Sequence, residues 1–135
     1  MGNRTLRLSK TRTVLINSLS GIATLSLGSS ASLAAGDSAA GQQLFATHCT
    51  PCHATEPGVN KVGPSLAGVV GRASGSVPGY DYSPALKAAN IKWDEKTLDQ
   101  WLQNPTGDVH GTKMFITVPN PGDRQNVIAY LETLK

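Results

Sequence analysis

Both cysteines of the 135-residue chain lie in one short segment, His48-Cys49-Thr50-Pro51-Cys52-His53, where two residues separate them. Two of the three histidines of the chain flank these cysteines. Because six consecutive residues cannot spread far apart, their thiols and imidazoles must share one neighbourhood of the folded protein. Whatever these groups bind or form therefore constrains how the rest of the chain folds around them.

Three kinds of chemistry other than cofactor attachment use cysteines at this spacing. A thioredoxin-like thiol pair lies beside a βαβ unit, and no strand pattern accompanies the motif here. A structural zinc site needs four ligands, for which only His48, His53 and His110 remain. A disulfide is compatible with an exported protein, but this one would close too short a loop to constrain the unfolded chain, and it leaves His53 without a role.

The pattern Cys-x-x-Cys-His is also the attachment motif of covalent haem c. Two thiols add to the two vinyl groups, and the next residue supplies an imidazole to the iron. The absence of any other cysteine favours this interpretation. So does the basic, then apolar start of the chain, which is typical of an exported protein. We therefore predict one haem c, attached through Cys49 and Cys52, with His53 as an iron ligand.

A haem iron that only carries electrons needs a second axial ligand. Beyond residue 34 the chain contains one methionine, Met114, in the segment GTKMF. A methionine usually fills a gap in a core, but this one stands in a polar turn, and its thioether is the soft neutral ligand that such an iron requires. Met114 is the predicted ligand, with His110 as its competitor. His48 adjoins Cys49 and is predicted to be a surface residue.

The first 34 residues have the composition of a secretory signal peptide. They carry four Lys and Arg residues without an acid, then an apolar stretch, then small residues up to Ala34. This order is typical of such signals, so residues 1–34 are predicted to be cleaved and 35–135 to form one domain. The n-region lacks paired arginines, which favours export of an unfolded chain to the periplasm.

Residues 35–135 carry eight basic against nine acidic residues, and no two basic residues are adjacent. This balance gives no basic face for nucleic acid. The predicted signal peptide contains Asn17, serines and glycines, so its apolar stretch makes a poor membrane-spanning helix. No stable membrane insertion is predicted after cleavage.

Helix signals dominate the predicted domain. Asp37 or Ser38 caps a first helix, Ser83-Pro84 begins a short one that runs to about Ala89, and Asp94 caps a third. The third carries the stripe Leu98, Trp101 and Leu102 and stops before Asn104-Pro105. A last helix is predicted from Asp123, while Pro57 to Gly79, with six glycines and three prolines, is predicted as loop. No segment alternates with a period of two, so the fold class is predicted to be all-α.

These motifs, taken in order, resemble the class I c-type cytochromes of the mitochondrial cytochrome c and bacterial cytochrome c2 type. The resemblance spans the whole chain after the predicted signal peptide. It implies the cytochrome c fold, in which the N- and C-terminal helices pack together and loops with short helices wrap one covalent haem. Gly41 and Phe45 match the first-helix positions that pack against Val127, Tyr130 and Leu131 of the last helix.

The resemblance also implies further haem contacts. Pro64, in Gly63-Pro64, matches the proline whose carbonyl accepts the Nδ1 proton of the ligand histidine, here His53. The family's partners of the haem propionates fall at Arg72, Tyr82, Trp93 and Thr112. Two positions depart from the pattern: Trp101 replaces a tyrosine near the methionine sulfur, and Leu86 replaces an asparagine.

The function that the resemblance implies is that of a soluble one-electron carrier with His/Met ligation, and not an enzyme. Its partners would be redox proteins, with a cytochrome bc1-type donor and an oxidase, reaction centre or reductase as acceptor, and it would act as a monomer. Two alternatives remain: a haem subunit or domain of a dehydrogenase or oxidase complex, and a haem peroxidase or sensor with a labile sixth ligand.

Overall fold

A computed structural model describes residues 35–135, so the predicted signal peptide lies outside the described residues. Within this range there are five helices and no strand, which confirms the all-α prediction. A single antiparallel bridge joins Ala73 to Lys92. None of the helices in this range is long and apolar enough to cross a membrane. The helices are α1 (Ser38–His48), α2 (Pro84–Ala88), α3 (Glu95–Gln103), α4 (Pro105–Asp108) and α5 (Pro121–Leu131).

The first and last helices pack together. A Cβ atom at Gly41 would overlap the backbone carbonyl of Asn126, so α1 and α5 touch through their main chains at this point. One turn further along, the rings of Phe45 and Tyr130 lie 5.2 Å apart, tilted by 58°. This pairing agrees with the packing that the resemblance implies, and it brings the end of α1, where the cysteine motif begins, against the core.

Polar caps begin the helices where the sequence predicted them. The Asp37 carboxylate accepts hydrogen bonds from the N–H groups of Ala39 and Ala40, so Asp37 and not Ser38 caps α1. Ser83 accepts one from Leu86 N–H at 3.2 Å and caps α2. Asp94 begins α3 in a reciprocal capping box with Thr97, an arrangement that satisfies two otherwise unpaired donors.

The structure differs from the prediction at two helix boundaries. Helix α5 begins at Pro121, and not at Asp123, because Asn120 caps it and proline is well suited to a first turn. The sequence also predicted that α3 ends before Asn104-Pro105 and predicted no helix directly after it, whereas a four-residue helix, α4, begins at Pro105. Asn104 ends α3 and also accepts a hydrogen bond from Gly107 N–H, so it caps α4 as well.

Candidate haem site

A cavity of about 380 Å³ lies between the helices and the long loop. Its walls include core side chains such as Phe45, Leu98 and Leu131, which are almost entirely buried. The structure brings all ten predicted site residues to this one cavity: Cys49, Cys52, His53, Pro64, Arg72, Tyr82, Trp93, Trp101, Thr112 and Met114.

The two cysteines lie in a tight turn that follows α1. Cys49 is the C-cap of the helix, and its carbonyl accepts hydrogen bonds from the N–H groups of Cys52 at 3.0 Å and His53 at 2.8 Å. Both thiols are free and half-buried. Burial, with a smaller contribution from Cys52, raises the pKa of the Cys49 thiol to about 11. The turn therefore presents two thiols and one imidazole to the cavity.

The ring of His53 is oriented by a backbone carbonyl. Its Nδ1 atom lies 2.8 Å from the carbonyl oxygen of Pro64. A carbonyl can only accept, so Nδ1 carries the proton and the lone pair for a metal is on Nε2. Burial lowers the pKa of His53, the hydrogen bond to Pro64 opposes this shift, and Lys61 lowers the pKa further. The imidazole is thus neutral at pH 7, as a metal ligand must be.

Gly63 allows the loop to approach this ring. A Cβ atom at Gly63 would overlap the imidazole of His53. The N–H of Gly63 also donates to the carbonyl of Cys52 at 2.7 Å, which ties the loop back to the cysteine turn. The Gly-Pro pair therefore has two local tasks: the glycine leaves room for the histidine, and Pro64 orients it.

Arg72 brings a cation to the polar part of the cavity wall. Nη1 donates to Ala67 O at 2.7 Å and Nη2 donates to Ser65 O at 2.9 Å. Among residues 35–135 its Nε is the one buried side-chain nitrogen or oxygen atom without a hydrogen-bond partner. Burial lowers the pKa of Arg72, but a guanidinium stays charged at neutral pH. Its spare N–H is suited to an acidic group in the cavity.

Two hydroxyl groups lie near the same wall. Tyr82 Oη accepts a long hydrogen bond of 3.4 Å from Val77 N–H, and burial is the main reason that the pKa of Tyr82 is raised. Thr112 Oγ1 likewise accepts from Met114 N–H at 3.4 Å. Each hydroxyl accepts with its oxygen in these bonds, so its own proton remains for another acceptor.

The Met114 sulfur accepts a hydrogen bond from Trp101. Nε1 of the indole lies 3.2 Å from Sδ, and the Trp101 ring meets Trp93 edge to face at 5.3 Å. The resemblance implies a tyrosine hydroxyl near the sulfur in related proteins. In this chain the indole N–H of Trp101 is the donor in its place. His110, the competing ligand, is exposed and does not line the cavity, whereas His48 is exposed at the rim.

Two features of the cavity mouth, an apolar patch and an ion pair, were not predicted from the sequence. Val62, Phe115 and Ile116 line the cavity and are 77%, 74% and 52% exposed. Lys113, beside Met114, donates to the Asp81 carboxylate at 2.8 Å. The apolar pair that follows Met114 in an otherwise polar loop was a usable signal for the exposed patch. Nothing local in the sequence indicated the ion pair, whose members are 32 residues apart.

The cavity fits a covalently attached haem. Its walls are mainly apolar, the two thiols and a neutral imidazole lie in one turn, and the unpaired Nε of Arg72 offers a donor for a propionate. Within residues 35–135 no three His, Cys, Asp or Glu side chains converge as a metal cluster would.

Comparisons with known proteins agree with this fit. A family model described as cytochrome c matches residues 38–135. The cytochrome c of Euglena viridis is 48% identical over 101 residues, which cover 74% of this chain and 99% of that one. The cytochrome c2 of Rhodopila globiformis is 50% identical over 101 residues, covering 74% and 95%.

The fold of a solved relative is also similar. Cytochrome cH from Methylobacterium extorquens has a TM-score of 0.67 and 45% identity, with 73% of this chain and 99% of that one covered. Cys49 and Cys52 stand in the attachment motif of such proteins. The chain therefore belongs to the cytochrome c family of electron-transfer proteins and carries one covalently bound haem c.

Proposed function

We propose that this protein is a one-electron carrier in which His53 and Met114 are the two axial ligands of the haem iron. The observation that carries the proposal is that a neutral imidazole and the one thioether of residues 35–135 line the same cavity. The Pro64 carbonyl orients the imidazole, and the Trp101 indole holds the sulfur. The haem, when bound, supplies reversible one-electron chemistry at its iron.

The surroundings of the two ligands favour electron transfer over catalysis. Trp101 is 7% exposed and Leu98 is 4% exposed, so water is largely excluded from the inner wall. If His53 and Met114 both bind the iron, no position is open for peroxide or a gas. We therefore propose that the protein is not an enzyme or a sensor.

Absorption spectra of the oxidised and reduced protein test this ligand set. The oxidised protein should show the charge-transfer band of methionine sulfur bound to ferric iron, because Sδ is held at the cavity wall. A spectrum without this band would contradict ligation by Met114. Purification as a free monomer would separate the carrier from a haem subunit that works only inside a larger complex.

Four side chains are proposed to bind the haem propionates. Arg72 has an unpaired buried donor, and the hydroxyls of Tyr82 and Thr112 keep their protons for an acceptor. Trp93 lines the same cavity and is 7% exposed. Two buried carboxylates need such donors because an unpaired buried charge is costly.

The proposed site of action is the periplasm, after removal of residues 1–34. The layout of that segment as a basic, then apolar, then small-residue stretch supports cleavage after Ala34. The cytochrome match beginning at residue 38 is compatible with a domain that starts at 35. The partners are proposed to be a cytochrome bc1-type donor and an oxidase, reaction centre or reductase.

We expect electron transfer to a partner to depend only weakly on salt. Lys113 at the cavity mouth is paired with Asp81, and the patch of Val62, Phe115 and Ile116 is uncharged. With a purified cytochrome c oxidase as the probe, the second-order rate should change by less than about threefold between about 20 and 200 mM salt.

The control for this measurement is Asp81→Asn, which frees the charge of Lys113 without changing the size of the side chain. Its rate should fall more steeply with salt than that of the wild-type protein if the oxidase docks at the mouth through acidic groups. A wild-type rate that falls tenfold or more would contradict the expectation.

Trp101→Phe should lower the reduction potential. The indole N–H draws electron density from Sδ, which weakens the thioether as a donor and favours ferrous iron. Loss of one hydrogen bond of about 1 kcal/mol corresponds to about 40 mV for one electron. Voltammetry measures the shift, and Trp101→Tyr, which restores a donor, should lie closer to the wild type. An unchanged potential in Trp101→Phe would show that the hydrogen bond has no influence on the iron.

A further inference from the structure

Arg124 is a buried charged residue that lies outside the haem cavity. It stands in the first turns of α5 and is 6% exposed. Its Nε donates to Asp99 Oδ1 at 2.7 Å, and its Nη1 donates to the carbonyls of Val118 at 3.0 Å and Pro119 at 2.9 Å. One guanidinium therefore joins α5 to α3 and to the segment that precedes α5.

Arg124 joins the segment that contains Met114 to the helix that contacts the Met114 sulfur. Val118 and Pro119 end the segment 113–119, here called the Met114 strap. Asp99 lies in α3, the helix that also carries Trp101, whose indole donates to the Met114 sulfur. The guanidinium thus ties the far end of the strap to the helix that contacts the sulfur.

The middle of the strap has few anchors of its own. Phe115, Ile116 and Thr117 are exposed, and the backbone hydrogen bonds resume at Val118, whose N–H donates to Leu102 O of α3 at 2.7 Å. The position of the sulfur therefore depends on how the strap is fastened at its two ends. Lys113 and Asp81, which are exposed, fasten one end, and Arg124 fastens the other.

Neither the helix start nor stability alone accounts for Arg124. Asn120 already caps α5 by accepting from the N–H groups of Gly122 and Asp123. Burial of a guanidinium is costly, and a buried ion pair is often no more stabilising than apolar residues of similar volume. Such a pair can instead specify one arrangement of the groups around it. The planar fork of arginine suits this task because it reaches several acceptors at fixed angles.

We propose that Arg124 is a positioning residue for Met114. Through Val118 and Pro119 it sets the distance between the strap and α3, and so keeps the sulfur at the Trp101 indole and at the cavity. The inference rests on the proposed ligation of iron by Met114. It assigns a role in ligand binding to a side chain that touches neither the cofactor nor its ligand.

The test is the rate at which imidazole displaces Met114 in the oxidised holoprotein, followed by loss of the methionine charge-transfer band. Arg124→Lys keeps the positive charge beside Asp99, but one ammonium cannot reproduce the fork that reaches both carbonyls. Displacement should become about tenfold faster, the factor for the loss of one hydrogen bond to a charged group worth about 1.4 kcal/mol. The NMR signal of the Met114 methyl group in the reduced protein should shift as well.

Ile128→Val is the matched control. Ile128 lies in the same helix, is 1% exposed and does not line the cavity, and the substitution weakens the core while leaving every hydrogen bond of Arg124 to the strap in place. The free energy of unfolding is measured for both variants in guanidinium chloride. At an equal loss of this free energy, Arg124→Lys should accelerate displacement and shift the methyl signal, whereas Ile128→Val should do neither.

Equal displacement rates and unshifted methyl signals in both variants would overturn the proposal. If Arg124→Lys fails to fold, Asp99→Asn replaces it, because an amide retains the acceptor but removes the charge. Its displacement rate should still rise about threefold, since a charge-assisted hydrogen bond is about twice as strong as a neutral one, and an unchanged rate would overturn the proposal. A wild-type protein without the methionine band would instead contradict the ligation itself.

Discussion

Met114→Ala should abolish the methionine charge-transfer band and open the sixth position of the iron. The variant removes the one thioether of residues 35–135 from a cavity wall where Trp101 now holds it. The reduced variant should bind carbon monoxide at neutral pH, whereas the wild-type protein should not. The reduction potential should fall by about 120 mV, which corresponds to about a hundredfold preference of the thioether for ferrous iron. Absorption spectroscopy and voltammetry measure these changes.

His110→Ala is the control for this result. His110 is exposed and does not line the cavity, so its loss should leave the band, the potential and the exclusion of carbon monoxide unchanged. If Met114→Ala retained the wild-type spectrum while His110→Ala lost it, the axial ligand would be His110. Binding of carbon monoxide by the wild-type protein would favour the alternative of a sensor or peroxidase.

The cysteine motif could be predicted from the sequence because its chemistry is local. Cys49, Cys52 and His53 must lie within one turn for their groups to reach one cofactor, so their spacing is visible in the chain itself. Met114 and Arg72 come from distant segments. The position of Met114 at the cavity could be predicted because this methionine is unique after residue 34, and that of Arg72 only through the resemblance to a family.

The side-chain contacts around the site could not be predicted, since they depend on orientation. The resemblance to the family implies that Trp101 replaces a tyrosine, but only the fold shows that its indole N–H reaches Sδ at 3.2 Å. The pairing of Lys113 with Asp81 and the burial of Arg124 could not be predicted for the same reason. Each joins segments that come together only after the chain has folded.

Some helices could likewise be predicted from the sequence and others could not. Helix α3 was predictable because an Asp94 cap and an apolar stripe both indicate it. The prediction began α5 too late because it took the acidic Asp123 for the start, although Asn120 and Pro121 are the cap and the first-turn residue. It missed α4 because Asn104 was taken only as a stop, whereas one asparagine ends a helix and caps the next.

Gly41→Ala should strongly destabilise the described domain. The new Cβ would overlap the Asn126 carbonyl where α1 and α5 touch, and backbone cannot move aside as a flexible side chain can. An overpacked contact of this kind costs about 3 kcal/mol, which corresponds to roughly 15 °C in melting temperature for a domain of this size. Thermal unfolding of the holoprotein, followed by circular dichroism, measures the loss.

Gly122→Ala provides the matched control, since it is the same chemical change in the exposed first turn of α5. There the nearest atom to the new Cβ is the Asn120 side-chain oxygen at 3.2 Å, which needs to shift only slightly. Alanine is favoured over glycine in a helix by about 1 kcal/mol, so this variant should melt at or near the wild-type temperature. Equal melting temperatures of the two variants would contradict a backbone contact at Gly41. A selective loss at Gly41 would show that the main-chain contact between α1 and α5 holds the terminal helices together beside the haem.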